Sequence, residues 1–180
     1  DFIWFLDDDI KTDINKIRIV KNSIINNRSD IYIFRIALDD KGNLYKKYYN
    51  FNLFSKLSIL KISSIEMVVS RTFIKKHNIL FDERFGLGSK YPKGEENIFI
   101  LECYTHKGRI MHIPKIIVIH EAPISRIVQN NRESLMAQGF IARKYPFFGI
   151  FLILRWYLRI LFKYRDVKSI RHLINGFFIK

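Results

Sequence analysis

The stretch FIWFLDDDI, Phe2 to Ile10, decides how the chain is read. Phe2–Leu6 is a continuous apolar run of strand length, which suits a strand buried in a parallel sheet. It ends abruptly in Asp7-Asp8-Asp9. Three adjacent carboxylates repel one another, and at the end of a buried strand they are costly unless a cation neutralises them. Hard divalent ions such as Mg²⁺ or Mn²⁺ take oxygen ligands, often shared with a substrate's phosphates. In open α/β sheets, ligands bind at the carboxyl ends of strands, where this triplet would sit. The competing reading is a solvated turn leading into a helix N-terminus, where Asp is also favoured.

Working outward, strands and helices alternate. Thr12 or Asp13 can cap a helix carrying Ile14, Ile17, Val20 and Ile24 on one face. Asp30–Leu38 reads as a strand, followed by the turn Asp39–Asn43 and a partner strand near Leu44–Tyr49. Ile65–Ser70 is another strand, Arg71–Asn78 a short helix, and Phe81–Gly94 a loop with several glycines. Glu95–His106 has helical spacing through Ile98, Leu101 and Tyr104. Arg109–His112 and Lys115–His120 read as two strands flanking Pro114. The body therefore reads as α/β or α+β with a mainly parallel sheet.

Two further features carry potential chemistry. Gly94-Glu95-Glu96-Asn97 puts two carboxylates in the first turn of a helix. The helix dipole alone favours Glu there, and a general base at the mouth of a cleft is the functional alternative. His120 ends the apolar run Ile116–Ile119, so it can lie near the acidic triplet in space and complete a metal site. A structural or solvated role is the alternative. His77, His106, His112 and His172 have no ligand spacing, and Cys103 reads as a small buried hydrophobe.

The 180 residues are 48% hydrophobic and 27% charged, enough for a packed core. Lys and Arg number 31 against 17 Asp and Glu, a formal net charge of +14. That balance predicts an anionic partner: nucleic acid, a membrane surface or a phosphorylated substrate. One cysteine excludes an intramolecular disulfide framework and a Cys-rich zinc module, and suits a reducing compartment. Nine of the basic residues lie between Ile141 and Lys180, opposed by Asp166 alone, among large aliphatics and aromatics. Arg155, Arg159 and Lys163 share one helical face there. An apolar helix with a basic stripe and interfacial Trp and Tyr suits the headgroup layer of an anionic membrane. Packing on the body or on a second subunit is the alternative. The run is too short to span a bilayer. Interleaving with large aliphatics argues against nucleic acid.

The ordered set of motifs resembles the second half of family 2 glycosyltransferases with the GT-A fold. The resemblance rests on FIWFLDDDI and on EMVVSRTFIKKHNILFDERFGLGSKYPKGEENIFILECYTHKGRIMHIPKIIVIHE, Glu66–Glu121. Asp7-Asp8-Asp9 is similar to the family's DxD motif. Ser70-Arg71 and Phe81–Gly86 are similar to the segment lining the acceptor side. Glu95-Glu96 is similar to the pair that carries the catalytic base, and Ile113-Pro114 through His120 to the closing strands. The likeness covers about Asp1–Glu121 and is weaker between Ile10 and Ile62.

The resemblance implies a partial GT-A fold, residues 1–123, followed by a basic amphipathic helical tail, residues 124–180. It implies an inverting, metal-dependent transferase moving a sugar from a nucleotide-sugar to a hydroxyl of a glycan or lipid-linked acceptor, as in bacterial surface polysaccharide synthesis. Asp9 with Asp7 would hold Mn²⁺ or Mg²⁺, with His120 completing the metal or diphosphate site. Asp8 would contact ribose or sugar. Glu96 would be the base and Glu95 its neighbour, although the family usually has Asp at the second position, so either can act. The expected setting is the cytoplasm, peripheral on the inner face of the plasma membrane. Because the chain opens at Asp1 inside an apolar run, it is expected to be a fragment lacking the N-terminal nucleotide-binding part. It is then expected to bind nucleotide-sugar poorly alone and turn over nothing. The rival classes are a nucleic-acid-binding module and a non-catalytic membrane-associated one.

Overall fold

The computed structural model describes residues 1–48, 60–121, 131–145, 148–164 and 169–179, with the side chains of 163 and 164 outside the description. The chain forms two compact units: Asp1–Leu80 with Ile100–Arg126, and Phe81–Phe99 with Ile127–Lys180. Phe81–Phe99, which the sequence reading takes as a loop to Gly94 and the start of a helix within the body, thus clusters with the C-terminal residues.

The first unit is built on a four-stranded mixed sheet in the order β1-β3-β2-β4. Its strands are β1 (Phe2–Trp4), β2 (Ile31–Ala37), β3 (Met67–Ser70) and β4 (Ile110–Ile119). β3 runs antiparallel to both β1 and β2, and β2 pairs in parallel with β4. Three strands therefore share one direction and β3 opposes them. The expected majority direction is present, but two of the three hydrogen-bonded pairings are antiparallel. β1 lies at one edge of the described sheet, with Phe2, Ile3 and Trp4 half-buried rather than buried as the apolar run predicts.

β2 is the centre of the unit. Tyr32, Phe34 and Ile36 point to one face and join Val20, Ile65, Val68, Ile117 and Val118 in the core. The opposite-facing Ile31 is equally buried, and its Cδ1 would lie 2.8 Å from a Cβ at Gly108. Both faces of β2 are thus covered, which explains its unbroken apolar sequence. Helix α1 (Ile14–Asn26) is capped by Asp13, whose Oδ1 accepts from the Asn15 and Lys16 amides at 2.8 and 3.0 Å. Its buried contact is Val20, with Ile19 and Ile24 packed beside it, while Ile14 and Ile17 are exposed.

Two expected strand assignments differ in the structure. Leu44–Tyr49 forms no partner strand over its described residues. Leu44 makes an isolated bridge with Ala37, and Tyr49 lies outside the described residues. The segment still touches β2 just past the turn: the Leu38 amide donates to the Asn43 carbonyl at 2.6 Å and the Tyr45 amide to the Ile36 carbonyl at 3.1 Å, and no ladder continues beyond that over the described residues. Residues 46–48 instead reach a buried carboxylate. Glu66 accepts from Tyr48 Oη at 2.7 Å, Lys46 Nζ at 2.5 Å and the Ser63 amide at 2.7 Å. Burial, then the Glu66 charge and hydrogen bond, pushes the Tyr48 phenol well above its ordinary range. The two strands expected around Pro114 are one strand, β4. Ile33 faces His112 and Arg35 faces Ile116, so β4 carries extra residues against β2. Pro114, lacking an N–H, sits inside that irregularity on a strand at the sheet edge, and the ladder bulges instead of ending.

After β3 come α2 (Arg71–Lys76), capped by Ser70, and later α3 (Glu95–Thr105). Cys103 is fully buried, and burial raises its thiol to about 12, as a small hydrophobe requires.

The second unit carries α4 (Arg132–Arg143), α5 (Gly149–Tyr164) and α6 (Ile170–Phe177). Asn131 caps α4 by accepting from the Ser134 amide at 2.9 Å. α4 and α6 meet through glycine: a Cβ at Gly139 would lie 2.0 Å from the Leu173 carbonyl oxygen, and one at Gly176 2.0 Å from that of Met136. The backbones touch because neither residue has a side chain. α5 buries Leu152 and Ile160, with Ile153 and Trp156 packed on the cluster of Leu135, Ile160 and Leu173. The loop before α3 is ordered by aromatic contacts: Phe85 lies 4.9 Å from the Tyr91 ring and 4.8 Å from that of Phe140. Among the described residues no helix is long and apolar enough to cross a membrane.

Two outcomes follow from this packing. Burial, and then the Arg35 charge, lowers the His112 imidazole from 6.5 to about 4. Between those values the unfolded chain binds the extra proton, so stability falls as pH drops from about 6.5 to 4. Urea titrations across that window should show the loss, and His112→Phe should flatten it. Gly94 has φ +102°, and a Cβ there would lie 2.7 Å from Ile141 Cδ1. Gly94→Ala should therefore lower stability by roughly 2–4 kcal/mol in the same titration.

Candidate functional site

The chain leaves β1, passes the acidic triplet in a turn, and is then pinned to the far edge strand. Lys11 forms an antiparallel bridge with Ile119, its amide and carbonyl each 2.8 Å from their partners. Thr12 adds a hydrogen bond from Oγ1 to the Ile117 carbonyl at 2.9 Å. Thr12, one of two residues suited to capping α1, thus anchors the turn to β4, and Asp13 alone caps the helix. Just beyond the bridge, Lys11 Nζ pairs with Glu121 at 2.5 Å on the surface. These links place the triplet beside the residue that ends β4, His120.

Ligand atoms of Asp7, Asp9 and His120 lie within 4.8 Å of one another. Both carboxylates are exposed and the imidazole is buried. Nε2 of His120 stands 3.4 Å from Oδ1 of Asp9. The His120 amide donates to the Ala37 carbonyl at 2.9 Å, which fixes the backbone at the ends of β4 and β2. The Tyr45 ring meets the imidazole edge-on at 5.4 Å and orients it. Nδ1 is buried without a hydrogen-bond partner among the described residues. Asp8 is exposed and stands outside the trio.

Two carboxylates and one imidazole nitrogen fit a divalent first-row ion. Mn²⁺ accepts such a mixed oxygen and nitrogen set more readily than Mg²⁺, which prefers oxygen alone. A ligating histidine usually donates its second N–H to an oxygen, and Nδ1 here makes no such bond among the described residues. The sequence reading named all three residues. It gave no signal for Tyr45 or for the Lys11 and Thr12 anchors, because each depends on a contact with β4 or His120, far away in the chain.

Glu95 and Glu96 belong to the second unit, in the first turn of α3, and both are half-buried. The Glu95 carboxylate packs against Gly86: a Cβ added there would lie 3.4 Å from Cδ of Glu95. Its Oε2 is buried with no hydrogen-bond partner among the described residues, and Oε2 of Glu96 is likewise buried. In the loop before them, Arg84 grips Asp82 through Nε at 2.9 Å and a second nitrogen at 2.7 Å. That contact, above all its hydrogen bonds, holds the Asp82 carboxyl below the usual range. Lys93 is half-buried, and desolvation followed by the Arg159 charge lowers its ammonium to about 8.

No family model matches the chain, and no curated protein matches it. Solved structures do. The chain is similar to S. aureus TarS 1-349 in complex with UDP-GlcNAc, at 13% identity and a TM-score of 0.61. That match covers 97% of this chain and 55% of the other. The match to S. aureus TarS 1-349 in complex with UDP has 14% identity and a TM-score of 0.57, covering 92% and 48%. S. aureus TarS itself matches at 14% identity and a TM-score of 0.55, covering 94% and 39%. The chain thus spans about half the length, or less, of the structures it matches. At this identity the likeness bears on the fold alone: α/β with a mixed sheet, consistent with part of a GT-A-like domain.

Proposed function

We propose that this chain is part of a metal-dependent, inverting glycosyltransferase that uses a nucleotide-sugar donor. The observation that carries the reading is the convergence of Asp7, Asp9 and His120 at the ends of β1 and β4. The shared fold supports it, since one TarS structure holds UDP-GlcNAc and another holds UDP. UDP-GlcNAc is accordingly the first donor to try.

In this reading Asp7, Asp9 and His120 hold Mn²⁺ or Mg²⁺. A bound ion would supply positive charge to offset that of the diphosphate leaving group. Asp8, exposed beside the trio, contacts ribose or sugar. Glu96 takes the proton of the acceptor hydroxyl while that oxygen bonds to the anomeric carbon from the face opposite the departing diphosphate, inverting the centre. Glu95, backed by Gly86, orients the acceptor. The acceptor is a hydroxyl of a glycan or of a lipid-linked saccharide, and the proposed setting is the cytoplasmic face of the plasma membrane during surface polysaccharide assembly.

The test uses the longest protein that carries these residues. UDP release from UDP-GlcNAc should require Mn²⁺ or Mg²⁺ and fall by roughly 10²–10⁴ in kcat for Glu96→Gln, with donor KM little changed. Asp9→Asn should lose the metal response. Undiminished turnover in chelator and in both variants would contradict the proposal.

A further inference from the structure

α5 is apolar on two sides, and only one of them is used for packing within its unit. Leu152, Trp156 and Ile160, spaced by four, face inward, where Ile160 joins Leu135 and Leu173. Phe151, Leu154, Leu158 and Phe162, spaced by three and four, form a second stripe on the opposite side. They are 51%, 52%, 40% and 79% exposed. Arg155 and Arg159 border that stripe along one edge and are also exposed, with Arg159 near enough to Lys93 to lower its ammonium. Neither α5 nor α6 contains an acidic residue. Beside the stripe, an all-apolar groove of about 160 Å³ opens between Ile150 and Ile153 of α5 and Ile174 and Phe177 of α6.

Leaving four large apolar side chains in water is unfavourable, so the face calls for an occupant. Its charge selects among them. A second copy meeting the same face around a two-fold axis would set Arg155 and Arg159 against their own equivalents with no acid to relieve them. Nucleic acid would match the guanidinium groups but would meet Phe151, Leu154, Leu158 and Phe162 with phosphates. An anionic bilayer satisfies both sets: aliphatic and aromatic side chains enter below the headgroups, and arginines reach the phosphates above them. We propose that the outward face of α5 docks in the plane of an anionic lipid bilayer, with Phe151, Leu154, Leu158 and Phe162 inserted and Arg155 and Arg159 at the headgroup phosphates. Lys163, the third residue of the basic stripe read from sequence, has its side chain outside the described residues. The inference stands on the second unit alone and is independent of glycosyl transfer.

Co-sedimentation with vesicles tests it on the full chain. Vesicles of phosphatidylcholine containing roughly one-third phosphatidylglycerol should bind the protein, and pure phosphatidylcholine should bind it far less. Arg155→Glu/Arg159→Glu should weaken partitioning roughly 30-fold or more. Lys75→Glu/Lys76→Glu, the same charge change at exposed positions of α2, should alter it by less than about threefold. Leu154→Ser/Leu158→Ser, with charge intact, should weaken it about tenfold or more. Phe162→Ser, at the most exposed of the four, replaces that pair should circular dichroism show it misfolded. The proposal is overturned by absence of binding to the anionic vesicles, by equal losses in the two charge-reversal pairs, or by apolar variants that bind like the parent. A lipid-free dimer, seen by light scattering and abolished by Leu154→Ser/Leu158→Ser, would assign the face to a second copy instead.

Discussion

Two backbone hydrogen bonds between Lys11 and Ile119 are what the candidate site depends on. The acidic triplet leaves one edge strand of the described sheet, and His120 ends the other. Local propensity has no means of joining them. The bridge does so with main-chain groups, which are insensitive to side-chain choice, and Thr12 reinforces it through the Ile117 carbonyl. Once Lys11 is fixed, the turn through Asp7–Asp9 has little freedom, and the carboxylates stay beside the imidazole despite their mutual repulsion. Within the trio, Asp9 faces the His120 imidazole at 3.4 Å. A bound cation would relieve the repulsion.

Much of this was legible in the sequence, for specific reasons. An apolar run ending in three aspartates marks a strand end, because burial and like charge cannot coexist along one strand. The Asp13 cap and the glycine before Glu95 mark helix starts through backbone chemistry that acts over three or four residues. His120 was readable as the end of an apolar strand. The pairing order was not, since β1 meets β3 and β3 meets β2 through contacts distant in sequence. The segment after Asn43 has strand-like composition, but past its short contact with Ile36 and Ala37 its side chains turn to the buried Glu66. Pro114 reads as a break, yet an edge strand tolerates it by bulging.

The C-terminal residues show a different limit. α5 has large apolar side chains around most of its circumference, so periodicity cannot tell which side packs. Glycines decide it: α4 and α6 approach until Gly139 and Gly176 meet the opposite backbone, and α5 lays Leu152 and Ile160 into the same core. The residual apolar stripe is then a consequence of where those glycines are. The clustering of Phe81–Phe99 with this helical unit was equally hidden, because the ring contacts of Phe85 with Phe140 join residues far apart in the chain.

Asp7, Asp9 and His120 are proposed together to hold a divalent cation. Mn²⁺ added to this chain reports it directly through electron spin-echo modulation. The account predicts a stoichiometric bound ion with nitrogen coupling from a single imidazole, the coupling lost in His120→Gln and binding lost in Asp9→Ala. Mn²⁺ that binds without nitrogen coupling, or with the same affinity in Asp9→Ala, would contradict it.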